Sequence, residues 1–331
     1  MYLNFRAPTG TLESIRRTRG LGACQRYFQK VLEERPPGDA AELLNSPGLR
    51  FPTLFALKPQ IEKAGIQNSL GGKRKAALQI CGKVLKDQKS PPEGGISYSD
   101  KAVRAAFLWM FQTGTGNDGL SNEYDEILDL SACVLARRYR ETAILPALSA
   151  LIFHRNRKRG YLHDLIWAFF QFHDPGALRY LAPYLRSGSA RDRELARLLL
   201  HLPDPGENRR GWEAQYQDFL NWLRENKAYL YFTGESLQSS NQPKICSLDR
   251  EAKYLGKQIS PRKRKPVSPL TKEEEESLSC FAQAEENEKS LLSNYSGKLR
   301  RRNPASWNRW IHSPVKEQIR LAKTGSGRRF L

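Results

Sequence analysis

Residues 172–206 read FHDPGALRYLAPYLRSGSARDRELARLLLHLPDPG, and an Asp-Pro-Gly tripeptide stands near each end of two apolar stripes. Asp174 is suited to accept hydrogen bonds from the free amides of a first helical turn, and Pro175 fits the first helical position because its missing N–H has no partner there. Leu178, Leu181 and Leu185 follow at helical spacing, which predicts a helix over 175–186. Ser187-Gly188-Ser189 then breaks the chain, and Leu195, Leu198, Leu199 and Leu202 restart an i, i+3, i+4, i+7 stripe. The stretch therefore predicts a helical hairpin.

A shift of 33 residues toward the N-terminus carries the first stripe onto Leu145, Leu148 and Ile152, and the second onto Leu162, Leu165, Ile166 and Phe169. The turn between them becomes HRNRKRG, residues 154–160. Seven apolar positions coinciding at one period is the pattern of a solenoid, whose hairpins bury their faces by stacking. A weaker third copy precedes these two, with Val103, Ala106 and Met110, then Ile127, Leu130 and Val134, split by a predicted loop QTGTGNDGLSN at 112–122. Tyr216, Phe219, Leu220 and Leu223 mark a closing helix.

On these residues the chain resembles a HEAT repeat of the short, phycobilisome-lyase-like kind. The Asp-Pro-Gly-Ala-Leu opening, Pro183 inside the first helix, a turn and a Leu-rich second helix carry the likeness over about residues 141–206. Pro146 near a helix start and the turn cations Arg155, Arg157, Lys158 and Arg159 depart from that pattern. The resemblance implies an all-α fold, a short right-handed α-solenoid of stacked hairpins, and a binding scaffold more than an activity.

The chain has 331 residues, enough for one or two domains. Its 54 Lys and Arg against 35 Asp and Glu give a net charge of +19, which favours phosphate, acidic protein or an anionic surface as partner. The most apolar runs, ILPALSALIF and DLIWAFFQF, are about half the roughly 20 residues a membrane crossing needs. MYLNFRAPTG lacks the apolar core of a secretion signal, so an internal, cytoplasmic location is expected. Five cysteines, Cys24, Cys81, Cys133, Cys246 and Cys280, are scattered and without CxxC spacing, which indicates neither a disulfide framework nor a zinc site.

Four segments follow from composition. Residues 1–95 read as a small, loosely ordered helical region, with helical spacing at Cys24, Tyr27, Phe28 and Val31 and at Ala77, Ile80 and Val84, punctuated by Gly and Pro. Residues 96–235 hold the HEAT-like repeats. KQISPRKRKPVSPLTKEEEES makes 236–300 a disordered charged linker, and its SPRKRKP would suit nuclear import. In 301–331, Trp307, Trp310, Ile311, Val315 and Ile319 gather near one face of a basic amphipathic helix, with Pro314 bending it or opening a second one. That helix either folds on a partner, caps the solenoid, or lies on a membrane surface.

Catalytic signals are weak. His154, His163, His173 and His201 lie in the repeats, and His163-Asp164 and His173-Asp174 resemble the pairs of metal-dependent His-Asp phosphohydrolases, although the likeness ends at the dipeptides and Asp174 already has a capping role. GTGNDGL and LGGKRK lack the context of a phosphate loop. Glu123, Asp125, Glu126 and Asp129 read as a solvated helix face. No cofactor and no metal is expected.

The basic turns carry more. Stacked repeats bring equivalent turns to one edge in layers about 10 Å apart, so Arg155, Arg157, Lys158 and Arg159 would align with Arg186, Arg191 and Arg193 and with Arg137, Arg138 and Arg140. Such a ridge would track a phosphate backbone. Three functions are in view: a nucleic-acid-binding scaffold, an adaptor for an acidic protein using the solenoid and the Trp helix, and, least supported, a metal-dependent hydrolase.

Overall fold

The computed structural model describes residues 11–86, 97–205 and 209–326, and these residues are mostly helical. They fall into two compact units, one within Met1–Arg155 and Asp164–Phe172, the other within Asn156–His163 and His173–Leu331. Parts of the expected N-terminal region (1–10 and 87–95) and the end of the expected tail (327–331) lie outside the described residues.

Unit 1 contains α1 (Thr11–Arg19), α2 (Leu21–Glu34), α3 (Pro37–Asn45), α4 (Phe51–Lys63), α5 (Gly72–Lys86), α6 (Lys101–Gly114), α7 (Asn122–Val134), most of α8 (Leu145–Lys158) and α9 (His163–Phe170). Asp100 caps α6 by accepting the Ala102 N–H at 2.7 Å, and Ser121 caps α7 by accepting that of Tyr124 at 3.2 Å. The region expected to be loose has a core: Cys24 and Phe28 of α2, Phe51, Leu54, Leu57 and Ile61 of α4, and Ala77 and Ile80 of α5 are fully buried. Phe51 stacks on Tyr124 of α7, centroids 5.1 Å apart at 17°, which ties that region to the first helices of the expected repeats. The predicted loop at 112–122 is also shorter than expected. Its first residues continue α6, because Gly114 lets Leu128 and Tyr124 come against the backbone and Tyr124 donates its hydroxyl to the Gly114 carbonyl at 2.9 Å.

Unit 2 contains the opening stretch. Leu178, Leu181 and Leu185 are buried as the stripe predicts, yet 175–186 is not one α-helix but two 3₁₀ segments, Pro175–Tyr180 and Ala182–Arg186. Pro183 has no N–H and its ring would clash with the carbonyl four residues back, so the α-helical ladder cannot pass it. Ser189 caps α10 (Ala190–Leu200), and α11 (Arg209–Asn226) packs on both 3₁₀ segments. A short antiparallel pair follows, β1 (Leu230–Phe232) with β2 (Cys246–Leu248), Leu230 opposite Leu248.

Residues 236–300 were expected to be disordered, and the structure differs. They form β2, α12 (Arg250–Leu255), α13 (Lys272–Ala282) and most of α14 (Glu286–Arg302), and α15 (Pro304–Ile311) and α16 (Val315–Ser326) close over them. Tyr254, Leu255, Phe281, Leu292, Trp310, Ile311 and Ala322 make one core. The apolar residues between 250 and 300 are too sparse to cover one another, and the two tryptophan-bearing turns downstream supply the missing area. The turns at 238–242 and 262–269 stay exposed throughout, and SPRKRKP is held as a tight loop by the Ile259–Pro266 bridge.

Candidate nucleic-acid interface

The predicted site residues divide by unit. In unit 1, Arg155 does not belong to a surface ridge. It is 4 % exposed, and its guanidinium donates to Asp118 Oδ1 at 2.9 Å from Nε and to Asp129 Oδ2 at 2.8 Å from Nη1. Burial alone would lower its pKa, but the hydrogen bonds and charges of Asp129 and Asp118 outweigh burial and hold it above the usual guanidinium value. Burial pushes Asp129 up to about 6, with Arg155 opposing. The acidic stretch expected to face solvent is therefore split: Glu123 and Glu126 are exposed, Asp125 accepts the Gly119 N–H at 2.7 Å, and Asp129 is inside.

Arg137, Arg138 and Arg140 are exposed at the end of a π-helical turn, Leu135–Tyr139. Arg138 lies over the Tyr98 ring at 5.7 Å, and Arg140, in the left-handed region at φ 53°, donates to the Gln171 carbonyl at 3.1 Å.

Unit 2 brings the turn 156–159 against 187–193. Asp192, buried at 1 % exposure, accepts from Arg157 Nη1 at 2.7 Å, Asn156 Nδ2 at 3.2 Å and Ser187 Oγ at 3.0 Å. Arg191 donates to the Asn156 carbonyl at 3.3 Å. All of Arg157, Lys158 and Arg159 are exposed, but Arg157 is engaged with Asp192, whereas Lys158 and Arg159 make no ion pair among the described residues.

Two aromatic residues complete the face: Trp212, which sequence reasoning did not assign, and Tyr216, which it placed only in the apolar stripe of a closing helix. Arg193 donates to the Ser187 carbonyl at 2.7 Å and lies over the Trp212 ring at 3.6 Å from its centroid; Arg186 pairs with Glu213 at 3.2 Å and lies over Tyr216 at 4.2 Å. Trp212 and Tyr216 stand one helical turn apart on α11, and that i, i+4 spacing was the available signal. Stacked guanidinium and ring offer a phosphate a cation and a base a flat apolar surface. The SPRKRKP turn adds Arg262, Lys263 and Lys265, all exposed, and Arg264, which stacks on Tyr231 at 4.5 Å and pairs with Asp249 at 3.2 Å.

The residues expected to meet a partner are turned inward. Trp310 and Ile311 are each 4 % exposed, and Trp307, Val315 and Ile319 pack on the same core. Trp310 Nε1 donates to the Gln318 carbonyl at 3.3 Å and Trp307 Nε1 to Ser296 Oγ at 2.8 Å. Pro314 opens a second helix, so the single long helix becomes two short ones that cover their own unit.

The histidines do not gather. His154 lies in unit 1; in unit 2, His163 faces the Tyr161 ring, His173 meets the edge of Phe232 at 5.5 Å, and His201 Nε2 accepts the Ile245 N–H at 3.1 Å. Among the described residues no three His, Cys, Asp or Glu side chains are grouped as metal ligands. Asp174 caps by accepting the Gly176 N–H at 2.8 Å.

The fold and this face define a basic, mostly helical protein, and among the described residues no helix is long and apolar enough to cross a membrane. Comparisons with protein-family models, with curated proteins and with solved structures each find no match.

Proposed function

We propose that the protein is a non-enzymatic binding scaffold of the HEAT-like α-solenoid kind, and that the basic, aromatic face of unit 2 takes the phosphate backbone of a nucleic acid. The observation that carries this reading is the pair of stacked couples Arg193–Trp212 and Arg186–Tyr216, one turn apart beside Arg191, Lys158 and Arg159. Phosphate contacts from cations interleaved with rings on which bases stack are the combination that single-stranded nucleic acid binders use. The solenoid part rests on the 33-residue recurrence and on the burial of the first stripe in both copies, Leu145, Leu148 and Ile152 in one and Leu178, Leu181 and Leu185 in the next. An adaptor acting through the Trp helix loses support, since that face is covered.

The test is fluorescence anisotropy of labelled single- and double-stranded DNA and RNA against the full chain at a low and a physiological salt concentration. Binding should weaken steeply with salt, favour single strands, and lose about one unit of salt slope for each of Lys158→Ser, Arg159→Ser and Arg191→Ser. No binding at low salt, or a slope indifferent to all three changes, would overturn the proposal.

A further inference from the structure

Unit 2 also holds a groove of about 780 Å³ that the phosphate-binding reading does not use. Leu199 and Leu202, Phe219 and Trp222 of α11, and Leu248 of β2 give it apolar walls. Its volume is that of a small-molecule site, and such sites join apolar walls to a few polar atoms that fix orientation. Trp222 is 40 % exposed, one of the few large apolar side chains so open among the described residues.

Three polar groups in the lining set the chemistry. Gln215 donates from Nε2 to the Pro203 carbonyl at 2.7 Å, which fixes the amide and leaves Oε1 shut off from solvent with no donor among the described residues. A buried acceptor without a donor is rare in folded proteins and marks a place where a ligand can supply one. His201 uses Nε2 to accept the Ile245 N–H, so the neutral ring carries its proton on Nδ1. Lys244 is exposed and its ammonium makes no ion pair among the described residues, whereas Arg250 is paired with Glu286 at 3.0 Å. Among the described residues Asp218 is the one carboxylate in the lining, against these two cations.

We infer that this groove binds a small amphipathic anion, with an apolar ring or chain between Leu202, Phe219 and Trp222, an N–H or O–H donor for Gln215 Oε1, and its acidic group on Lys244. The site is independent of the phosphate-binding face, and either assignment can fail alone.

The probe is 8-anilinonaphthalene-1-sulfonate, which carries an apolar ring system, an N–H and an anionic group, titrated into the full folded chain. Its fluorescence should rise to saturation at one probe per chain, and dodecanoate should displace it while dodecanol does so poorly. Trp222→Ala and Lys244→Ala, both at exposed positions, should each weaken the probe roughly fivefold or more with the melting temperature unchanged, about the worth of one lost contact. Gln215→Leu should also weaken it, by removing the acceptor. A signal that never saturates, or one indifferent to Trp222→Ala, overturns the site; binding that survives Lys244→Ala unchanged, or dodecanol matching dodecanoate, overturns the assignment to an anion. Displacement of the probe by an oligonucleotide would overturn the independence of the two sites.

Discussion

Arg155 shows how burial reverses the meaning of a residue. In HRNRKRG it is one cation among four, and neither composition nor spacing tells it from Lys158. Folding gives Arg155 two carboxylates, Asp118 and Asp129, 37 and 26 residues away, while Lys158 stays in water. Removing one member of a buried pair strands its partners, so Arg155→Ala should destabilise the protein by about 3–5 kcal/mol, against about 0.5 kcal/mol or less for Lys158→Ala. Urea unfolding of the two variants checks this; equal midpoints would mean that the Arg155 ion pairs do not hold unit 1 together. His201 supplies a second prediction. Burial first, then the charge of Lys244, holds its pKa below the usual 6.5, and the neutral Nε2 accepts the Ile245 N–H. The unfolded chain therefore binds the proton more readily, and the stability from His201 is present above pH 6.5 and lost as the pH falls below it. His201→Asn keeps a residue tolerant of φ 53° and should flatten the pH dependence of the urea midpoint below 6.5; the difference between the two proteins cancels Asp129, which is common to both. Parallel profiles would show that His201 has no such part.

At the scale of elements, periodicity located the helices and failed where a single residue changed the backbone. Every position of the first stripe in 172–206 is buried, which period alone foretells, but the change from α to 3₁₀ needed weight on Pro183 that the pattern of leucines concealed. Gly114 misled in the other direction. Gly-rich sequence reads as loop, yet this glycine ends α6 with φ −93°, an ordinary value, and serves as a gap for its neighbours. A Cβ there would stand 2.8 Å from both Leu128 Cδ2 and Tyr124 Oη and 3.1 Å from Phe51 Cδ1. Helix propensity favours Gly114→Ala by about 1 kcal/mol, but overpacking of α6 against α4 and α7 costs about 1–3 kcal/mol, so the variant should be less stable. A raised melting temperature would mean that those side chains move aside freely.

For the whole molecule, charge was legible and the extent of folding was not. The count of cations is a property of composition, but which of them reach solvent depends on pairings such as Arg155–Asp129 that join residues 26 apart. The stacked couples of the candidate face likewise need α11 laid beside Arg186 and Arg193, which no local window contains. Residues 236–300 resembled a linker because their charges dominate any short window, while the residues that bury Tyr254 lie in α13, α14 and α15, up to Trp310. Gln318 links these pieces: it is wholly buried, accepts from the Tyr254 hydroxyl at 2.8 Å and donates to the carbonyls of Ile311 at 3.1 Å and Ser313 at 2.8 Å. Amide hydrogen exchange separates a folded region from a charged linker, since linker amides exchange without protection and core helix amides only on opening. In the full chain, the amides of α12, the middle of α14 near Leu292, and Gln318 should exchange slowly, and those of the exposed Arg262 and Ser268 fast. Gln318→Ala leaves the Tyr254 hydroxyl without its acceptor and should speed exchange across α12, α15 and α16 together, because a buried unpaired hydroxyl weakens the core that all three share. Uniformly fast exchange over 250–326 in the unaltered chain would return this region to the disorder its composition advertises.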